Sequence, residues 1–125
     1  MNKKVGKVLL VEDNEVNQLV FEGMLTQLGY QLDIAANGEQ GVEMWKQEDY
    51  DIIFMDVQMP IMNGIEATQI IRSLEKPDMH QPIIALTANV LEEDENTCLE
   101  AGMDAFMTKP LDMKLLKETL SLLVV

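Results

Sequence analysis

Apolar and polar positions divide the chain into segments of two alternating kinds. Five short apolar runs recur along it: Val8 to Val11, Leu32 to Ala35, Ile52 to Met55, Ile83 to Leu86 and Ala105 to Met107. Three of these are continuous aliphatic stretches, the pattern of strands buried on both faces of a parallel sheet. The intervening segments carry helical spacing. Val20, Met24 and Leu28 share one face with Phe21, then come Val42, Met44 and Trp45, then Ile65, Ile70, Ile71 and Leu74. A fourth helix is expected from about Val90 to Ala101 and a fifth from Leu111 to Leu123. Asn14, Asn37 and Asn63 stand where helices begin, because a short amide accepts hydrogen bonds from the open first turn. Gly29 and Gly102 stand where helices end. Five strand–helix alternations predict an α/β domain: one doubly wound, five-stranded parallel sheet with helices on both faces and right-handed crossovers. Such sheets bind ligands beyond the carboxyl ends of their strands. That rim is where chemistry is to be sought.

Composition narrows the partners. The 125 residues suit a single domain, 1–125, with 9 Lys and Arg against 22 Asp and Glu, a net charge of −13. So much negative charge repels nucleic acid and anionic membrane surfaces. A hydrophobic content of 47% is ordinary for a folded domain, so the charge does not mean disorder. The lone Cys98 suits a reducing cytosol. No apolar stretch approaches the ~20 residues of a membrane span, and none fits a signal peptide. The ten methionines are expected mostly to fill core gaps.

At the predicted carboxyl rim the first strand runs into Glu12 and Asp13, the third into Asp56, the fourth into Thr87 and the fifth into Lys109. Converging carboxylates repel one another unless a cation lies between them, and hard divalent ions such as Mg2+ take carboxylate and carbonyl oxygens. Asp13 and Asp56 are natural direct ligands, with Glu12 acting through water. A carboxylate can attack phosphorus. A metal ion, an ammonium and a hydroxyl would offset charge on the transferring group. The set therefore reads as a phosphoryl-transfer site with Asp56 as acceptor. Taken singly, each residue is equally readable as a cap, a strand-end polar group or a surface lysine.

These residues also carry a resemblance. Val11-Glu12-Asp13-Asn14, Met55-Asp56-Val57-Gln58-Met59-Pro60, Asn63-Gly64, Ala85-Leu86-Thr87-Ala88, Ala101-Gly102-Met103-Asp104 and Lys109-Pro110 resemble the receiver domains of two-component response regulators. The resemblance implies a flavodoxin-like receiver fold and phosphoryl transfer from a partner's phosphohistidine to Asp56, with Mg2+ required and Mn2+ a substitute. It implies that Glu12, Asp13, Asp56 and the Gln58 backbone carbonyl hold the metal. Thr87, the Ala88 amide and Lys109 contact the phosphoryl group. Thr87 and Phe106 fall at the switch positions, where Phe106 has no hydroxyl and any coupling must be steric. The Lys109–Pro110 bond is expected to be cis. Gln58 and Asn89 are amides near the site, able to position water but not to act as strong bases.

Asp13-Asn14-Glu15-Val16-Asn17, Ala85-Leu86-Thr87-Ala88-Asn89 and Cys98-Leu99-Glu100-Ala101-Gly102-Met103-Asp104 resemble receivers inside hybrid sensor histidine kinases, which exchange phosphate with histidine-phosphotransfer domains. A histidine kinase or such a domain is the expected partner. The expected setting is the cytoplasm, including the cytoplasmic part of a membrane-anchored kinase. The abrupt Leu122-Leu123-Val124-Val125 end fits a domain excised from a longer kinase, with no output domain in the chain. The alternative is a stand-alone, single-domain regulator that acts by phosphorylation-dependent protein binding. A flavin protein fits poorly, since its first loop should offer hydroxyls rather than Glu12 and Asp13. An aspartyl-phosphate hydrolase would want an acid at Gln58, so the chain is read as a phosphoacceptor and not as an enzyme with external substrates. On the first helix, Leu19 points about 155° from the expected buried face. With Val16 and Gly23 it forms a candidate docking strip, extended by Ile61, Met62, Pro110 and Leu111.

Overall fold

The structure, a computed structural model, describes residues 6–57, 61–87, 92–108 and 112–123. Ten elements alternate: β1 (Lys7–Val11), α1 (Glu15–Gln27), β2 (Gln31–Ala35), α2 (Gly38–Gln47), β3 (Ile52–Asp56), α3 (Gly64–Leu74), β4 (Ile83–Thr87), α4 (Glu92–Ala101), β5 (Ala105–Thr108) and α5 (Met113–Leu123). The strands form one parallel sheet in the order β2-β1-β3-β4-β5. This is the doubly wound parallel sheet the apolar runs predict, in the flavodoxin-like form the resemblance implies. The three continuous runs are the central strands, buried along almost their whole length, while β2 and β5 lie at the edges and are only partly covered.

Strand alternation divides the core in two. Leu9, Val11, Ile53, Met55, Ile83 and Ala85 face Val42, Trp45, Ala67, Ile71 and Cys98 from α2, α3 and α4. Val8, Leu10, Ile52, Phe54, Ile84 and Leu86 face Phe21 and Leu25 of α1 and Leu116 and Leu120 of α5. Phe21 and Phe54 meet with ring centroids 5.3 Å apart.

The caps behave as expected. Asn14, Asn37 and Asn63 accept from the backbone N–H of Asn17, Gln40 and Glu66, and Glu66 returns a bond to complete a capping box. Gly29 and Gly102 follow their helices at positive φ, +90° and +109°. Two helical faces differ from the sequence expectation. Val20 is 48% exposed, and the fully buried Leu25 takes its place beside Phe21. Because the apolar residues of α1 spread over more than half of its circumference, spacing alone does not choose its inner face. Leu74 is exposed too, and α3 instead buries the small residues Ala67 and Thr68. The predicted first residues of the fourth and last helices, 90–91 and 111, lie outside the described residues.

Candidate functional site

Sheet register builds the rim. Val11 pairs with Met55 and Ala35, so Glu12, whose N–H donates to Ala35 O at 3.0 Å, emerges beside Asp56 at the end of β3. Asp56 pairs with Leu86, which sets Thr87 one step beyond it at the end of β4. Asp56 and Thr87 are thus the last residues of their strands rather than the first of the loops, and the ladder holds their backbones.

Glu12, Asp13 and Asp56 each offer a carboxylate oxygen within 4.8 Å of the others. Glu12 is fully buried and Asp56 is 6% exposed, while Asp13 opens to solvent. Local bonds fix this geometry. Glu12 Oε2 accepts from Asn14 N at 3.2 Å, and Glu12 O accepts from Gln18 Nε2 at 2.6 Å, so α1 starts against the acid loop. On the other flank, Gly64 N donates to Val57 O at 3.2 Å. A Cβ at Gly64 would collide with the Asp56 carbonyl, so only glycine lets α3 start this close to the end of β3. Gly38 N likewise donates to Met62 O at 3.1 Å, tying the loop after β3 to the start of α2. Gln18, Gly38 and Gly64 are positioning residues. Only Asn63-Gly64 stood out in the sequence.

Thr87 is half-buried at its strand end, and Phe106, on β5, packs part-buried against the α2–α4 side of the core. On the candidate docking strip, Val16 and Leu19 are 67% and 68% exposed, Gly23 is open on its side-chain face, and Ile61 projects into solvent. Met62, beside it, is half-buried: its side chain packs against the core, and its carbonyl anchors Gly38. Gln58, Ala88, Asn89, Lys109, Pro110 and Leu111 lie outside the described residues, as does the Lys109–Pro110 bond.

The donor set fits a hard divalent cation. Two largely buried carboxylates and one exposed carboxylate within one ion's reach supply the anionic oxygens such ions require. Residues 8–121 match the family model of the response regulator receiver domain. The chain belongs to that family. Among its relatives, hybrid signal transduction histidine kinase B of Dictyostelium discoideum is 45% identical over 120 residues, covering 88% of this chain and 6% of that protein. Histidine kinase 5 of Arabidopsis thaliana is 37% identical, covering 91% of this chain and 15% of its own length. The receiver thus spans a small part of these curated relatives. Among solved structures, the receiver domain of sensor histidine kinase PA1611 from Pseudomonas aeruginosa PAO1 is 42% identical with a TM-score of 0.88, over 97% of this chain and 98% of that one. That structure holds a magnesium ion in its active-site cleft. The receiver domain of Ssk1 from Saccharomyces cerevisiae, crystallised with the histidine phosphotransfer protein Ypd1, is 31% identical with a TM-score of 0.88, over 96% of this chain and 89% of that one.

Proposed function

We propose that this receiver is a station in a histidine-to-aspartate phosphorelay, with Asp56 as its phosphoacceptor. The observation that carries this reading is the gathering of Glu12, Asp13 and Asp56 at the carboxyl rim, two of them buried. Asp13 and Asp56 would hold Mg2+ directly, with the Gln58 backbone carbonyl, and Glu12 through water. A bound Mg2+ supplies positive charge that offsets charge on the phosphoryl oxygens. Asp56 Oδ attacks phosphorus, the new O–P bond forms as the N–P bond of the partner's phosphohistidine breaks, and the departing imidazole takes up a proton. The Thr87 hydroxyl, the Ala88 amide and the Lys109 ammonium are the groups read as receiving the phosphoryl oxygens. Thr87 and the aromatic ring of Phe106 are read as the switch, coupled by steric fit.

The partner is a histidine kinase or a histidine-phosphotransfer domain, met by Val16, Leu19 and Gly23 of α1 together with Ile61, Pro110 and Leu111. The hybrid kinases among its relatives support a place within such a kinase, on its cytoplasmic side, as a phosphoacceptor module without external substrates. Among the described residues, no helix is long and apolar enough to cross a membrane. The test is incubation with acetyl phosphate and Mg2+, read by intact mass. The chain should gain one phosphoryl group, and neither Asp56→Asn nor the wild type in excess EDTA should gain it. Labelling of Asp56→Asn at the wild-type level would overturn the assignment.

A further inference from the structure

At the amino end of the sheet, opposite the acidic rim, the ends of α2 and α3 flank a cleft of about 480 Å³. Trp45, Lys46, Glu48 and Asp49 belong to its α2 wall, and Leu74, Lys76 and Met79 to the other. The two walls are tied together. Trp45 Nε1 donates to Oε1 of the buried Gln81 at 3.0 Å, which joins the end of α2 to the entry of β4. Arg72 donates to the Gln81 carbonyl at 2.8 Å, and Met79 N donates to Lys76 O at 3.0 Å, so the second wall is fixed as well. A surface held in this way loses little freedom when a partner covers it.

The cleft presents an apolar strip with one charge of each sign beside it. Leu74 and Met79 are 48% and 43% exposed, next to the nearly buried indole of Trp45. Neighbouring exposed apolar side chains mark contact surfaces. Lys46 is paired with Glu43 at 3.3 Å, and Glu48 with Lys7 at 3.0 Å. Asp49 on the α2 wall and Lys76 on the other have no ion-pair partner among the described residues. Each wall therefore offers a charge of opposite sign to the other.

We propose that this face is a self-complementary contact through which two copies of the chain associate about a two-fold axis. A half-turn sets the α2 wall of one copy against the second wall of the other. Asp49 of each copy then meets Lys76 of the other, and Leu74 and Met79 of the two copies cover one another. The charge pattern favours a second copy as the occupant. Two chains that each carry −13 repel one another, so they associate only where opposite charges can be set face to face. One patch bearing both signs on opposite walls meets that requirement by itself. The contact is independent of the phosphoacceptor chemistry, and it leaves both acidic rims pointing away from the dimer axis.

The test is analytical ultracentrifugation of the chain up to about 1 mM, for the wild type, Lys76→Glu, Asp49→Lys and the double variant. Both side chains are exposed, so the fold does not depend on them. The wild type should form a reversible dimer with a Kd of about 100 μM, as a small contact gives. Lys76→Glu and Asp49→Lys should each weaken it about ten-fold, because each sets like charges face to face. Net charge alone predicts otherwise, since Asp49→Lys makes the chain less negative and would then strengthen association. An equimolar mixture of the two single variants restores both opposite-charge pairs in a mixed dimer. It should associate within about three-fold of the wild type, as should the double variant. A wild type that stays monomeric at about 1 mM would overturn the proposal. So would an Asp49→Lys dimer as tight as the wild type, or a mixture and double variant that fail to recover.

Discussion

The two ends of the sheet arrange acidic side chains differently. At the amino end, acids are matched to named cations. Arg72 donates to Glu75 at 2.7 Å, to Asp104 at 3.0 Å and to the carbonyls of Gly102 and Gln81, while His80 meets the other oxygen of Asp104 at 2.6 Å. Lys7 reaches Glu48 at 3.0 Å and Asp33 at 3.6 Å, and the Tyr50 hydroxyl donates to Asp33 at 2.8 Å. At the carboxyl end, three acids crowd within 4.8 Å and two are buried. One end uses charge to join the elements. The other gathers like charges at one site.

That contrast can be broken from the amino end first. Arg72 joins α3, the entry to β4 and the turn before β5, and Asp104 also accepts from the Ile83 N–H at 2.8 Å. Arg72→Ala strands these partly buried acceptors and should destabilise the fold by about 3 kcal/mol in urea melts. The surviving folded fraction should still react with acetyl phosphate. A loss of reaction in fully folded Arg72→Ala would show that the two ends are not separable.

A smaller effect should appear at alkaline pH. Burial, followed by the hydrogen bond to Asp33 and its charge, pushes the Tyr50 phenol above its ordinary range. The bond from Lys7 to Glu48, with Asp33 nearby, outweighs partial desolvation and holds the Lys7 ammonium above its own range. Both groups keep a proton in the folded chain that the unfolded chain releases near pH 10. Their stabilisation is therefore complete below about pH 10 and is lost as the pH rises beyond it. Tyr50→Phe should cost about 1.5 kcal/mol at neutral pH and make the alkaline fall shallower, as measured by urea melts across pH. An unchanged slope would contradict the assigned cause.

The smallest effect has the opposite sign. Asp13→Asn removes one charge from the crowded rim and should raise stability without divalent ions by about 1 kcal/mol. A decrease would mean that the crowding is already offset within the protein.

Much of this was legible in the sequence. The central strands announce themselves because residues buried on both faces must be continuously apolar, and strand order then brings Glu12, Asp13, Asp56 and Thr87 to one edge. The inner face of α1 was not legible, because Val16, Leu19, Val20 and Phe21 are all apolar and only packing decides among them. The burial of Ala67 and Thr68 was hidden because small residues leave no hydrophobic signature. Nor could spacing show that Glu12 is fully buried while its neighbour Asp13 is exposed, or that Arg72 reaches Asp104 across 32 residues. The sequence places Ile61 on a candidate docking strip but cannot show its positive φ.

The most direct test of the central claim, that the acidic rim is built to hold a divalent cation, is the melting temperature with and without Mg2+. The account predicts that Mg2+ at ten times its Kd stabilises the wild type by about 1.4 kcal/mol, a rise of roughly 4 °C. It predicts that Arg72→Ala, though less stable, shows the same increment, and that Asp13→Asn and Asp56→Asn lose it. A wild type indifferent to Mg2+, or a full increment retained in both rim variants, would contradict it.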